Sequence, residues 1–201
     1  MTKPSKIKIN DYRKSEYKIK ETILYRWSPR AMSGEKITKE ELMTLFEAAR
    51  WAPSSYNNQP WRFIYALRET IHWNRIFNLL EEFNQIWAKN AAALIVIISK
   101  NTFDHNGEKS ITHSFDTGAA WENLALQAEK NGLIAHGMQG FDYETAKIEL
   151  NISEEYTVEA MCAIGKQGEI EDLPEQIQKM EKPSDRKKIE EISFEGAYPP
   201  Q

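Results

Sequence analysis

Cysteine is nearly missing from this chain of 201 residues: the only one is Cys162, inside the apolar run AMCAIG. One thiol permits no internal disulfide and no cysteine-based metal site, and its apolar setting reads as a buried side chain rather than a nucleophile. Long apolar runs are missing too. The longest, AAALIVIIS after Asn90, is about half of what a membrane-spanning helix requires. Basic residues are in no excess, since 26 Lys and Arg face 30 Asp and Glu for a net charge of -4. The two signs are interspersed, which argues against a nucleic-acid partner. The lysine-rich start MTKPSKIKINDYRKSEYKIK has no apolar core behind it, so the expectations are no membrane partner, no secretion and a cytoplasmic location.

The catalytic signatures that are lacking narrow the field further. There is no G-x-S-x-G, no phosphate-binding P-loop and no G-x-G-x-x-G. The histidines His72, His105, His113 and His136 stand at no metal-ligand spacing from one another or from Cys162. What is present is 41 % hydrophobic and 28 % charged residues, the balance of a packed globule with a well-solvated surface, in a length that fits one domain.

Periodicity predicts an α+β arrangement. A charged segment over about 11–25 has helical spacing and ends at Trp27-Ser28-Pro29. Thr38 and Glu41 form a capping box ahead of a helix that must stop near Trp51, because Pro53 disfavours helical geometry before it. Strands are expected over 61–67, 91–99, 133–136 and 158–164, and helices over about 70–87, 114–131 and 143–150, the last capped by Asp142. The helix over 114–131 is apolar or small nearly all round, which predicts burial on more than one side. From about 169 to 201 the chain turns polar, with a last apolar beat at Ile189, Ile192 and Phe194, and reads as a docking tail.

Polar groups gather at the chain breaks. Arg26, Ser28 and Arg30 alternate in a way that suits an anion, although such clusters are commonly solvated loops. In APSSYNNQPW, Ser54, Ser55, Asn57 and Gln59 offer hydroxyls and amides to a polar heterocycle; by composition an Asx-type turn leading into a strand is an equal reading.

The order of these segments breaks that tie. Arg26-x-Ser28-x-Arg30, then a helix, then Pro53-Ser-Ser-x-Asn57-x-Gln-Pro-Trp61 resembles the FMN-dependent nitroreductase family. FNQIWAKNAAALIVI, FDTGAAWENLALQAEKNGL, GMQGFD and PSDRKKIEEISFEG resemble its later segments in the same order, so the likeness spans most of the chain from Tyr25 to Gly196. The resemblance implies an α+β nitroreductase-like fold with a central mixed sheet flanked by helices. It implies a homodimer with FMN at the interface, NADH or NADPH as electron donor, and a small-molecule electron acceptor such as a nitroaromatic or quinone, reduced by a ping-pong mechanism. An enal or enone acceptor on the same scaffold, or a flavin-binding protein without turnover, are the alternatives.

Carried over by position, the resemblance puts Arg26, Ser28 and Arg186 at the FMN phosphate. It puts Arg30 at the pyrimidine side of the ring, where a cation stabilises the charge of reduction. Asn84 would meet the same edge, and Gly137, Gln139 and Gly140 would bring backbone N–H groups to the ring. Pro53, Ser54, Ser55 and Asn57 would reach the flavin held mainly by the other subunit. No side chain is assigned as a catalytic acid or base, and no metal is expected. The chain departs from some members at Ser184, where they have a lysine that Lys182 or Lys187 would have to replace, and at Trp87, another lysine position. The short stretch 100–113, with Phe103 and His105, leaves the acceptor open.

Overall fold

The computed structural model describes residues 7–199. Its centre is a four-stranded sheet in the order β1-β2-β4-β3, with β1 at Trp61–Leu67, β2 at Ala93–Lys100, β3 at Leu133–Met138 and β4 at Tyr156–Lys166. Period-two alternation divides the core. Leu94, Val96, Ile98, Met161 and Ala163 pack on one face with Trp87 and Phe141; Ala93, Ile95, Ile97, Cys162 and Ile164 pack on the other with Leu42, Leu45 and Leu124. Because both faces of β2 are covered, its sequence runs apolar without interruption. Cys162 is fully buried, and that burial pushes its thiol pKa up.

The α+β expectation holds, with one correction. Each neighbouring pair in the sheet is antiparallel, so the sheet is not mixed. β2 and β3 do run parallel, as the long helix α5 (His113–Lys130) between them demands, but β4 is inserted between the two. The parallel relation exists only between strands that do not touch.

Helix α2 (Lys39–Arg50) starts at the expected capping box, with the Glu41 amide donating to Thr38 Oγ1 and the Thr38 amide to Glu41 Oε2, and buries Leu42, Leu45 and Ala49. α5 buries Ala120, Leu124, Ala125 and Ala128 against the sheet, and α6 (Tyr143–Glu149) is capped by Asp142 as expected. A bulge between Ile97 and Ile98 leaves Glu159 of β4 out of register. Its carboxylate accepts from Ser99 and Ser114 and lies 3.4 Å from His113 Nδ1, pinning the start of α5 to the sheet.

Two helix expectations are corrected. The segment expected to be helical over 11–25 is helical only at α1, Glu21–Tyr25. Tyr12, Tyr17 and Ile19 stay exposed, so the segment has no buried apolar face to offset the cost of helix nucleation. The expected helix over 70–87 is two short ones, α3 (Trp73–Phe77) and α4 (Glu82–Ala88). Between them Leu80 forms a bridge with Phe141, the Asp142 amide donates to Leu79 O and the Glu81 amide to Gly140 O. The tail docks earlier than expected: Leu173 and Ile177, in and before α7 (Glu175–Gln178), are buried, whereas Ile189, Ile192 and Phe194 remain exposed on the protomer.

Candidate functional site

A cavity of about 320 Å³ lies where the 26–30 segment, β3 and the tail meet, lined by Arg13, Arg26, Trp27, Ser28, Arg30, His136, Met180, Lys182, Ser184 and Arg186. Four of the expected residues, Arg26, Ser28, Arg30 and Arg186, thus come together from opposite ends of the chain. The 26–30 segment is held along β3 by Ser28 Oγ donating to Ala135 O at 3.4 Å and by His136 Nδ1 donating to Pro29 O at 3.1 Å. A carbonyl can only accept, so Nδ1 carries the proton and Nε2 is left as an acceptor. The ring also packs against Trp87 at 4.6 Å. Desolvation, outweighing the Pro29 hydrogen bond, lowers the His136 pKa to about 4, so the imidazole is neutral near pH 7.

Five cations line this cavity, and their carboxylate partners are few. Arg26 Nε is 3.3 Å from Glu122 Oε1, within ionic distance but out of line for a hydrogen bond. Glu181 is buried; its Oε1 accepts the amides of Arg30 at 2.6 Å and Ala31 at 2.8 Å, while Oε2 lies 3.8 Å from Arg30 Nη1. Burial raises the Glu181 pKa against the pull of those amides. Arg26 Nε and Arg30 Nε are buried donors without a hydrogen-bond partner among the described residues. Five cationic side chains around one cavity, two of them with unspent buried donors, are what a phosphate-bearing ligand satisfies, so the donor set fits the phosphate of FMN.

The second cluster surrounds the end of β3. Asn84 Nδ2 donates to Gly140 O at 2.9 Å, tying α4 to the loop that follows β3. Glycine lets the two approach: a Cβ on Gly140 would come within 2.7 Å of Asn84 Nδ2 and displace that side chain. Gly137 is backed less tightly by Trp121 of α5, 3.2 Å from where its Cβ would stand. Gly137 and Gln139 are exposed, so backbone and side chain here are open to a ligand.

Pro53, Ser54, Ser55 and Asn57 do not line the cavity. Their loop is built on the first turn of α5, where the Ser55 amide donates to the buried Asp116 carboxylate at 3.0 Å. Glu122, which meets Arg26, is six residues further along α5, about 9 Å of helix rise. Ser54 Oγ accepts the Gln59 amide, and Tyr56, Asn57 and Gln59 all have positive φ. Tyr56, 81 % exposed, meets Phe103 and His105 at ring distances of 5.5 Å each.

Sequence reasoning missed Arg13 and Glu181. Neither stands in a motif, and each acts across more than 150 residues of chain, so no local signal marks them. Of the two lysines that could replace one at Ser184, Lys182 lines the cavity and Lys187 does not. Among the described residues no helix is long and apolar enough to cross a membrane, and no group of three or more His, Cys, Asp or Glu could hold a metal ion.

The chain is similar in sequence and fold to several known proteins. The model of the family described as Nitroreductase family matches residues 23–85, which contain both polar motifs. A solved structure described as an oxidoreductase containing FMN is 44 % identical, with a TM-score of 0.90 over 94 % of this chain and 97 % of that one. A structure from Desulfovibrio desulfuricans, described as a nitroreductase-type protein in complex with FMN, is 22 % identical and shares the fold, with a TM-score of 0.69 over 89 % of this chain and 96 % of that one. MhqN of Bacillus subtilis (strain 168), assigned by its name to the NAD(P)H nitroreductases, is 23 % identical over 169 residues, covering 68 % of this chain and 82 % of that protein.

Proposed function

Since the chain belongs to the nitroreductase family, we propose that it is an FMN-dependent oxidoreductase that takes electrons from NADH or NADPH and passes them to nitroaromatics, quinones or related electrophiles. The observation that carries this reading is the cavity in which Arg26, Ser28, Arg30 and Arg186 converge among five cationic side chains, two of them with unspent buried donors. When bound, FMN supplies the two-electron redox chemistry; the chain supplies position and field.

Arg26 and Arg186, with Lys182 beside them, hold the phosphate by charge-assisted hydrogen bonds. Arg30, fixed by Glu181 through its own amide, would supply the positive charge that stabilises the ring on reduction. The neutral His136 adds no competing charge at that wall. Gly137, Gln139 and Gly140 present the β3 end to the ring, with Asn84 bracing the loop.

The Ser54–Asn57 loop does not line this cavity, and in this reading a second copy of the chain brings it to the site. The homodimer of this reading also covers apolar side chains that one protomer leaves open, among them Phe115 at 80 %, Ile192 at 63 % and Tyr198 at 78 % exposure. Donor and acceptor then use the same open face in turn.

Anaerobic absorbance spectra with NADH and with NADPH test the reading. Bleaching of the oxidised flavin band by either donor, and its return on adding a quinone or nitroaromatic, is expected. A flavin band unchanged by both donors would remove the enzymatic reading. Parallel double-reciprocal lines are expected in steady state, and intersecting lines would replace the alternating scheme with a ternary complex.

A further inference from the structure

Arg13 belongs to none of the segments that carry the family resemblance, yet it is 7 % exposed and lines the cavity. Its Nε and Nη1 donors go to backbone carbonyls. Nε donates to Ser184 O at 2.8 Å, and Nη1 donates to Leu24 O at 3.0 Å and Arg26 O at 2.6 Å. One side chain therefore joins the segment that ends in Arg26 to the tail segment that leads to Arg186. A second link runs beside it, from the Ile189 amide to Glu16 Oε2 at 3.3 Å.

The arrangement gathers like charges. Arg186 Nη1 folds back onto Ser184 O and Ser184 Oγ at 3.2 and 3.1 Å, so two guanidinium groups converge on the Ser184 carbonyl. Arg13 meets the Arg26 backbone on its other side. Burial first, then repulsion from Arg186 and Arg26, lowers the Arg13 pKa, with Asp185 the opposing charge. A buried arginine costs desolvation and repels two others, and what it supplies in return is donors to three carbonyls that lie on the two segments carrying Arg26 and Arg186.

We propose that Arg13 is a positioning residue for the cofactor phosphate: it fixes the separation of the Arg26 and Arg186 segments, so that an anion meets both guanidinium groups already in place. This rests on the FMN reading above. Its chemical consequence is selectivity. Arg13 matters for a ligand that carries the phosphate and is indifferent for riboflavin, which has the same ring and ribityl chain without it.

The test titrates FMN and riboflavin separately into cofactor-free wild-type protein, Arg13→Gln and Arg13→Lys, following flavin fluorescence, with the melting temperature of each cofactor-free chain recorded. The expected wild type prefers FMN strongly. Arg13→Gln should lose about tenfold to a hundredfold in FMN affinity with riboflavin affinity unchanged. Arg13→Lys, which keeps the charge and cannot make the forked contacts to three carbonyls, should recover only a minor part of that loss. If both variants keep the wild-type preference for FMN, or lose FMN and riboflavin in equal measure, Arg13 is a part of the fold alone and the inference is overturned. A wild type that does not prefer FMN to riboflavin would overturn the functional reading itself, a result separate from either outcome in the variants.

Discussion

The cavity beside β3 and the loop at the start of α5 are both rich in polar groups, yet they are built on opposite plans. Around the cavity the backbone is relaxed and the side chains are under stress: arginines crowd together, Glu181 is buried, and His136 is kept neutral. In the loop the side chains are at ease and the backbone carries the stress, with positive φ at Tyr56, Asn57 and Gln59. Electrostatic stress is relieved by a charged ligand. Backbone stress is held by neighbours, here Asp116, Thr102 and the aromatic trio of Tyr56, Phe103 and His105. The cavity is thus poised for something that arrives, and the loop is preset to a shape.

The largest test of this contrast is Glu181. Replacing it with Ala leaves the Arg30 and Ala31 amides without their acceptor and Arg30 without its counter-charge, and should cost about 3–5 kcal/mol in urea unfolding. A loss below about 1 kcal/mol would mean the cavity wall is not held electrostatically.

Next in size is an acid effect. His136 has a folded pKa near 4 against 6.5 for the free side chain, so the unfolded chain binds the extra proton first. Stability from this group is complete above pH 6.5 and is lost as pH falls towards 4, by at most about 3 kcal/mol. Glu181, with its pKa raised, has the opposite slope just above pH 4.5 and blunts the fall. His136→Gln should flatten the profile between pH 4 and 6.5; an identical profile would mean another group sets it.

Arg186→Ala should weaken FMN binding by about 1.5–3 kcal/mol in a fluorescence titration, because one charge-assisted phosphate contact goes. Unchanged affinity would detach the tail from the site. The smallest effect belongs to the loop. Tyr56→Gly should be more stable than Tyr56→Ala by about 1 kcal/mol, since both lose the ring and only glycine is relaxed at a φ of 51°. Equal stability would show that the loop carries no backbone stress.

Legibility in the sequence followed the range of the forces involved. The Thr38 capping box and the apolar run of β2 are local patterns, and the structure has both, while α5 buries one stripe on the protomer and leaves Phe115 exposed where its composition predicts burial on more than one side. Arg26, Ser28 and Arg30, which all line one cavity, are readable as a group because they share five positions of chain. The break after α3 was not, because residues 79–81 pair with residues 140–142 and nothing near them in the chain signals it. Arg13 is one arginine in a charged stretch, and only the meeting of both chain ends gives it partners. The mixed sheet was misjudged for a related reason: a helical connection fixes the direction of β2 and β3 relative to each other but not which strand comes between them.

That inserted strand has a consequence for synthesis. A ribosome emits β1, β2, α5 and β3 before β4, so for roughly twenty residues the growing chain holds β2 and β3 with a strand-wide gap between them and an apolar edge on each. Only when residues 156–166 emerge does the last piece slide into the centre and join the two halves. Chains that stop short of β4 therefore present open, sticky edges, and a nonsense or frameshift product ending between β3 and β4 should be found in aggregates or in protease digests rather than as a smaller folded protein.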